Sequence, residues 1–135
     1  MPDSQANLKI FTLEDANALL PQVRQAIVAL RKYVALVLTQ EAHVDARELI
    51  ADHAPSRLAN EMALLEQRKA ELQRAVEAFE RLGCHLKDLD LGLVDFYTWM
   101  DGELVLLCWR EDEEQIRHWH TVEDGYPGRQ PIPGT

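Results

Sequence analysis

The sequence predicts an α+β fold in which a long antiparallel helical hairpin is followed by a small antiparallel β-meander and an ordered C-terminal tail. Up to residue 79 the apolar residues recur in steps of three and four, which is typical of amphipathic helices. After Gly83 the spacing changes to that of extended chain, with steps of two from Leu89 to Leu93, and Asp101-Gly102 gives a strong hairpin signal. We therefore expect a single domain over residues 1–135, with the hairpin at 11–82, the meander at 84–120 and the tail at 121–135.

The first helical segment is expected to begin at Thr12, a good N-cap residue with acidic residues in the turn that follows. Pro21 lacks a backbone donor and disfavours the interior of a helix. It therefore predicts a short helix over 13–19, a bend and a new start at Pro21. From there the helix is expected over about 21–51. Its apolar seam has heptad spacing: Val23, Ile27, Leu30, Val34 and Val37.

A second helix is predicted over about 57–82, because Pro55 stops the first helix, Ser56 can cap the next and Gly83 suits its end. Its seam keeps the same rhythm, with Lys69 as the single polar residue: Leu58, Met62, Leu65, Lys69, Leu72, Val76 and Phe79. Two long helices with a loop at 52–56 must lie antiparallel. A lone hairpin cannot bury both sides of its stripes, so we expect a homodimer that pairs hairpins like a coiled coil or four-helix bundle.

Folding the chain about Asp101-Gly102 fixes the register of the central β-hairpin. It predicts three cross-strand pairs: Trp99–Leu104, Tyr97–Leu106 and Asp95–Cys108. Both faces of this hairpin are apolar, which predicts burial on both sides. The acidic run at 111–114 indicates a solvated turn, and a third strand over 116–120 is expected to return antiparallel beside residues 104–110.

Charge and composition exclude several classes of function. With 23 acidic against 14 basic residues the net charge is −9, so we expect no nucleic-acid partner, which would need a clustered basic face. Two cysteines, Cys84 and Cys108, without a CxxC motif exclude a disulfide framework and a four-sulfur zinc site. No apolar run approaches the roughly 20 residues of a membrane span, and no targeting segment is recognisable. We therefore expect no membrane partner and a cytoplasmic location.

Two histidines suggest a metal site. His118 and His120 are separated by one residue, so on a strand both rings point to one face. Asp124 could complete a two-histidine, one-carboxylate set for zinc or iron. The alternative is that one ring packs against a tryptophan and bonds to the backbone, while Asp124-Gly125 is a turn. No other cofactor is indicated, because the sequence has no P-loop, GxGxxG or GxSxG motif.

A second candidate site centres on Asp95, which interrupts an apolar strand. A buried carboxylate needs a partner, and Arg110 and Arg129 are the candidates. Arg129 follows Pro127-Gly128, a stiff turn that suits binding of a carboxylate or phosphate group. The cluster could be an internal ion-pair network, an acid or base with a shifted pKa, or a site for a small anionic ligand. Its members are Asp95, Arg110, His120, Arg129 and Gln130.

Four stretches of the chain resemble a prokaryotic family known as domain of unknown function twenty-two-oh-three. They are FTLEDANALLPQVR, LGCHLKDLDLGLVDF, DGELVLLCWR and HWHTVEDGYPGRQPI, and the resemblance covers the chain from about Phe11 to Ile132. It implies a small soluble bacterial protein and supplies no substrate. The family pattern does not require His118, which weakens the two-histidine hypothesis. Matching positions include Asp95, Cys108, Arg110, His120, Arg129 and Gln130.

Three functional hypotheses follow. The first is a non-catalytic, dimeric module that binds a small anionic ligand or a protein partner at the meander and the GRQP tail. The second is a metal-dependent enzyme that uses His118, His120 and a carboxylate from Asp124 or Asp95. The third is a structural adaptor held together by an internal Asp–Arg network.

Overall fold

A computed structural model describes residues 8–50 and 55–134. Its elements are helices α1 (Leu13–Leu49) and α2 (Pro55–Glu80) and strands β1 (His85–Asp88), β2 (Leu93–Met100), β3 (Glu103–Arg110), β4 (His118–His120) and β5 (Gln130–Pro131). The strands form one antiparallel sheet in the order β1-β2-β3-β4-β5. The predicted α+β class, a helical hairpin followed by an antiparallel meander, is confirmed. The loop expected at 52–56 falls mostly on residues 51–54, which lie outside the described residues.

The chain divides into two compact units, which we call the sheet unit and the hairpin unit. The sheet unit comprises Met1–Gln25 and Phe79–Thr135, and it contains the whole sheet together with the first turns of α1. The hairpin unit comprises Ala26–Ala78 and contains most of both helices.

Helix α1 runs through Pro21, so the predicted break between a short helix at 13–19 and a longer one from Pro21 is wrong. A proline inside a helix costs about 3 kcal/mol. The Pro21 side chain faces solvent, whereas Ala16, Leu20 and Val23 on the opposite side are buried. Burial of this apolar face stabilises the helix by more than the proline destabilises it, because tertiary packing supplies most helical stability in proteins.

Within the hairpin unit the two helices are joined by a buried polar contact. Gln40 of α1 is buried, and its Nε2 donates hydrogen bonds to the backbone oxygen of Glu61 at 2.9 Å and to Oε2 of the same residue at 2.7 Å. Ile27, Leu30 and Val37 of the predicted α1 seam are also buried. As far as residues 8–50 and 55–134 show, neither helix has the length and apolar character that crossing a membrane requires.

The central β-hairpin has the predicted register. All three expected pairs occur between β2 and β3: Asp95–Cys108, Tyr97–Leu106 and Trp99–Leu104. Asp101 and Gly102 both have positive φ, 51° and 82°, as a tight hairpin turn requires.

The two faces of the hairpin are covered unequally. One face, the core face, is buried except at the pair nearest the turn, Met100 and Glu103, and its buried residues are Val94, Phe96, Thr98, Val105, Leu107 and Trp109. The opposite face, here called the tail face, is buried around Asp95 and Cys108. It opens towards the hairpin turn, where Trp99 is 60% exposed. Burial on both sides is therefore confirmed only for the part of the hairpin away from its turn.

The C-terminal tail, which was predicted only to be ordered, extends the sheet by one strand. Strand β5 pairs antiparallel with β4, with His118 opposite Pro131 and Trp119 opposite Gln130. The backbone nitrogen of Ile132 donates to the backbone oxygen of Arg117 at 2.8 Å. Ile132 is itself buried, so an apolar anchor holds the added strand in place.

Candidate functional site

The tail face carries a row of chemically active side chains, one from each of the first four strands. The register links them as three neighbouring pairs: His85–Asp95, Asp95–Cys108 and Cys108–His118. Residues paired across antiparallel strands share a face, with Cβ atoms roughly 4.5–5.5 Å apart. His120 lies two residues beyond His118, so it points to the same face, as the sequence predicted.

Three of these side chains converge on one point. Asp95 and His120 are each 2% exposed and Cys108 is 0% exposed. Nε2 of His120 lies 3.2 Å from both carboxylate oxygens of Asp95. Cys108 lies directly opposite Asp95 in the register of β2 and β3, on the same face of the sheet. Their potential ligand atoms all lie within 4.8 Å of one another, and no other such group of three occurs in the described part of the chain.

The hydrogen bond made by Nδ1 of His120 constrains the protonation of Nε2, the ring nitrogen that faces Asp95. Nδ1 lies 2.8 Å from the backbone oxygen of Thr121, and a carbonyl oxygen can only accept, so Nδ1 carries a hydrogen. Nε2 then faces the Asp95 carboxylate. Lone pairs would repel there unless a positive centre lies between them. That centre is either a proton, on the ring or on the carboxyl group, or a metal ion.

Burial keeps the Cys108 thiol protonated. Removal from solvent, followed by the nearby charge of Asp95, raises the pKa of Cys108 to about 12. Burial likewise raises the pKa of the Cys84 thiol to about 11. Since the thiolate is the reactive form of cysteine, neither side chain suits a free nucleophile. A bound metal ion would change this, because a coordinating thiol loses its proton outright.

Beside these three residues, Glu113 forms the centre of a second polar cluster. Its Oε1 accepts hydrogen bonds from Nη2 of Arg129 at 2.6 Å and from the backbone nitrogen of Arg110 at 2.8 Å. Its backbone oxygen accepts from Nη2 of Arg24 at 2.8 Å. The Glu113 side chain is only 17% exposed. The predicted solvated turn at 111–114 is therefore wrong at this residue, because two arginines hold it inward.

The two arginines expected near Asp95 have other partners. Arg110 donates to Asp112 at 2.7 Å and to the hydroxyl oxygen of Tyr126 at 2.7 Å. The hydrogen bond from Arg110 lowers the pKa of the Asp112 carboxyl. Arg129 donates to Glu113 and, at 3.2 Å, to the backbone oxygen of Cys108. The arginines thus form ion pairs with Asp112 and Glu113, which surround the Asp95 group. Asp95 itself has a histidine and a cysteine as neighbours.

The remaining predicted site residues lie at the edge of this arrangement. Nδ1 of His118 is 3.2 Å from Oε2 of Glu113. Asp124 is exposed in a turn, where its backbone nitrogen donates to Oγ1 of Thr121 at 3.0 Å. Gln130 is exposed in β5. The structure therefore brings His120 together with Asp95 and Cys108, and neither His118 nor Asp124 belongs to that group.

Sequence reasoning missed two residues of the site. Cys108 is not among the predicted site residues, although the predicted register places it opposite Asp95. Glu113 was assigned to the solvent because it lies in a run of four acidic residues. The position of Glu113 in the sequence could have indicated its role. It lies three residues after Arg110, the last residue of β3, so its side chain can fold back and accept a hydrogen bond from the Arg110 backbone nitrogen.

Comparison with known proteins gives one match. The model of a family described as "Uncharacterized conserved protein (DUF2203)" matches residues 9–132. No curated protein and no solved structure matches the chain.

Removing the Arg129 side chain should destabilise the protein, because Glu113 would remain buried without its ion-pair partner. We expect Arg129→Ala to lower the free energy of unfolding by roughly 3–5 kcal/mol. Arg117→Ala, at an exposed position nearby, should change it by less than about 0.5 kcal/mol. Urea unfolding followed by tryptophan fluorescence measures both. Equal stability of the two variants would show that the Arg129–Glu113 pair has no structural role.

Proposed function

We propose that this chain, which belongs to the DUF2203 family of uncharacterized conserved proteins, binds a divalent metal ion of the zinc class through Asp95, Cys108 and His120. The observation that carries the proposal is the convergence of three different donor atoms within 4.8 Å in a buried place. The hydrogen bond from Nδ1 of His120 to the backbone oxygen of Thr121 also supports the proposal. Metal-ligating histidines usually donate their other ring hydrogen to a carbonyl or carboxylate, which fixes the ring for binding.

The distances suit a small tetrahedral ion. Zinc bonds of 2.0–2.3 Å place neighbouring ligand atoms roughly 3.3–3.7 Å apart. Nε2 of His120 and the Asp95 oxygens are already 3.2 Å apart, so the carboxylate and imidazole need only small adjustments. One sulfur, one nitrogen and one oxygen donor favour zinc over magnesium or calcium, which prefer oxygen ligands alone.

The charge of the buried group supports the same conclusion. With a proton on each of Nε2 and the thiol, the imidazolium, the carboxylate and the neutral thiol sum to zero. With a divalent ion in place of those two protons, the neutral imidazole, the carboxylate and the thiolate again sum to zero with the ion. Exchange of two protons for one divalent ion thus leaves no net charge in a place where an uncompensated charge would be costly.

This proposal combines two of the hypotheses drawn from the sequence. The site lies on the meander, as expected for a ligand-binding module, and the ligand is the metal ion of the second hypothesis. The ligand set differs in one place: His120 and Asp95 were both among the suggested ligands, and Cys108 takes the place suggested for His118. The internal Asp–Arg network of the third hypothesis is replaced by the Glu113 ion pairs in the layer outside.

Protein purified without a histidine tag or chelator should contain one zinc-class ion per chain by elemental analysis. Cys108→Ser and Asp95→Asn should weaken binding by more than about 100-fold, since loss of an outer partner alone costs ~10–100-fold. Cys84→Ser is the matched control, because Cys84 is the other buried thiol and lies outside the group. Cobalt-loaded wild-type protein and Cys84→Ser should show thiolate-to-metal charge-transfer absorption that Cys108→Ser lacks. Wild-type protein that takes up no stoichiometric ion would refute the proposal.

We also propose that the hairpin unit pairs with a second copy of the chain. The support is the incomplete burial of the α2 seam. Met62 is 49% exposed, and four further apolar residues of this seam are only half-buried: Leu58, Leu65, Leu72 and Val76. On a solvent-facing helix such a stripe is typical of a surface that another helix covers.

Light scattering at micromolar concentration should therefore give the mass of a dimer. A charge placed in the seam by Met62→Glu should weaken association by at least about tenfold, because a carboxylate would be desolvated in the interface. Gln67→Glu, at an exposed position of the same helix, should associate like wild type. A wild-type protein that is monomeric throughout this range would rule out the dimer.

A further inference from the structure

Two buried nitrogen atoms next to the proposed metal site have no hydrogen-bond partner in the described residues. They are Nε of Arg129 and Nδ1 of His118. The latter is 3.2 Å from Oε2 of Glu113, but the geometry does not make a hydrogen bond. Buried polar groups without partners are rare in proteins and destabilise the folded state. Such atoms beside a candidate site point to a ligand that satisfies them.

Both atoms belong to residues that adjoin the Cys108 position. His118 is paired with Cys108 across β3 and β4. Arg129 donates through Nη2 to the backbone oxygen of Cys108. Three protein ligands leave a fourth coordination position on a tetrahedral ion, as in catalytic zinc sites. A guanidinium and a ring N–H of a histidine can both donate hydrogen bonds to a carboxylate or phosphate oxygen.

We propose that the fourth position of the ion binds a small oxyanion, a carboxylate or a phosphate group, whose other oxygens accept from Nε of Arg129 and Nδ1 of His118. This inference rests on the proposed metal site. It also accounts for the way in which Glu113 contacts the Arg129 guanidinium. Its Oε1 takes the hydrogen of Nη2, which leaves the neighbouring Nε for another acceptor.

Cobalt-loaded, untagged wild-type protein provides the test, because the visible bands of cobalt respond to the fourth ligand. Titration with inorganic phosphate and, separately, with acetate should shift these bands saturably, and the oxyanion that binds more tightly identifies the class. Chloride at matched ionic strength should leave the bands unchanged. Equal effects of chloride, or no saturable effect of either oxyanion, would overturn the proposal and would leave metal binding intact. A protein that takes up no cobalt would overturn both.

Two variants test the role of the nitrogens. Arg129→Lys keeps the charge and removes Nε, and His118→Leu removes Nδ1. Each should take up cobalt like wild type and bind the oxyanion at least tenfold more weakly. His118→Asn, which places an amide nitrogen near the position of Nδ1, should recover most of the affinity. If Arg129→Lys does not fold, His118→Leu and His118→Asn carry the test, since His118 is partly exposed. Oxyanion binding that is unchanged in His118→Leu would contradict the assignment.

Discussion

The structure of the sheet unit depends on the burial of one carboxylate. Asp95 lies in the middle of an otherwise apolar strand and is almost inaccessible to solvent. Leaving such a charge unpaired would cost several kcal/mol, so the surrounding chain must supply partners. β3 supplies the Cys108 thiol from the directly opposite position, and β4 supplies the His120 ring from one strand further away. The partners come from two separate strands, so the fold must be complete before the carboxylate is satisfied.

The tail and the acidic loop hold this arrangement in place from outside. Arg129 reaches from the tail to the backbone of Cys108 and to Glu113, and Arg24 fixes the backbone of Glu113 from the first turns of α1. The Trp109 ring lies under Arg24, with the guanidinium 4.9 Å from the ring centre. The outer layer is therefore paired within itself, and its cations do not neutralise Asp95. The inner group keeps its own charge balance, which either two protons or one divalent ion can satisfy.

Local signals predicted the parts of the fold that local chemistry decides. Asp101-Gly102 fixed the register of β2 and β3 because few residues other than glycine and aspartate tolerate that turn. Pro21 misled the prediction, since its local cost is smaller than the packing of the apolar face behind it. The two-residue strand β5 has no hydrophobic period of its own. Its place is set by backbone pairing with β4 and by the burial of Ile132, which only the assembled sheet provides.

For the candidate site, the sequence likewise predicted what local register and spacing decide. The register placed Asp95 beside Cys108, and the spacing of His118 and His120 placed both rings on the correct face. The reach of His120 to Asp95 across an intervening strand depends on side-chain rotamers and on the Thr121 carbonyl, which no sequence period reveals. The inward turn of Glu113 depends on two arginines distant in sequence. The sequence pattern thus identified most of the residues of the site. Which side chains contact one another could be seen only in the structure.

X-ray absorption at the zinc edge tests the central claim most directly, because it reports the atoms bound to the ion. Protein loaded with one zinc ion per chain should show one sulfur at about 2.3 Å and nitrogen or oxygen neighbours at about 2.0–2.2 Å. The single sulfur identifies Cys108 when Cys84→Ser protein gives the same spectrum. A first shell of nitrogen and oxygen alone would contradict the account, because it would show that the Cys108 thiol does not bind the ion.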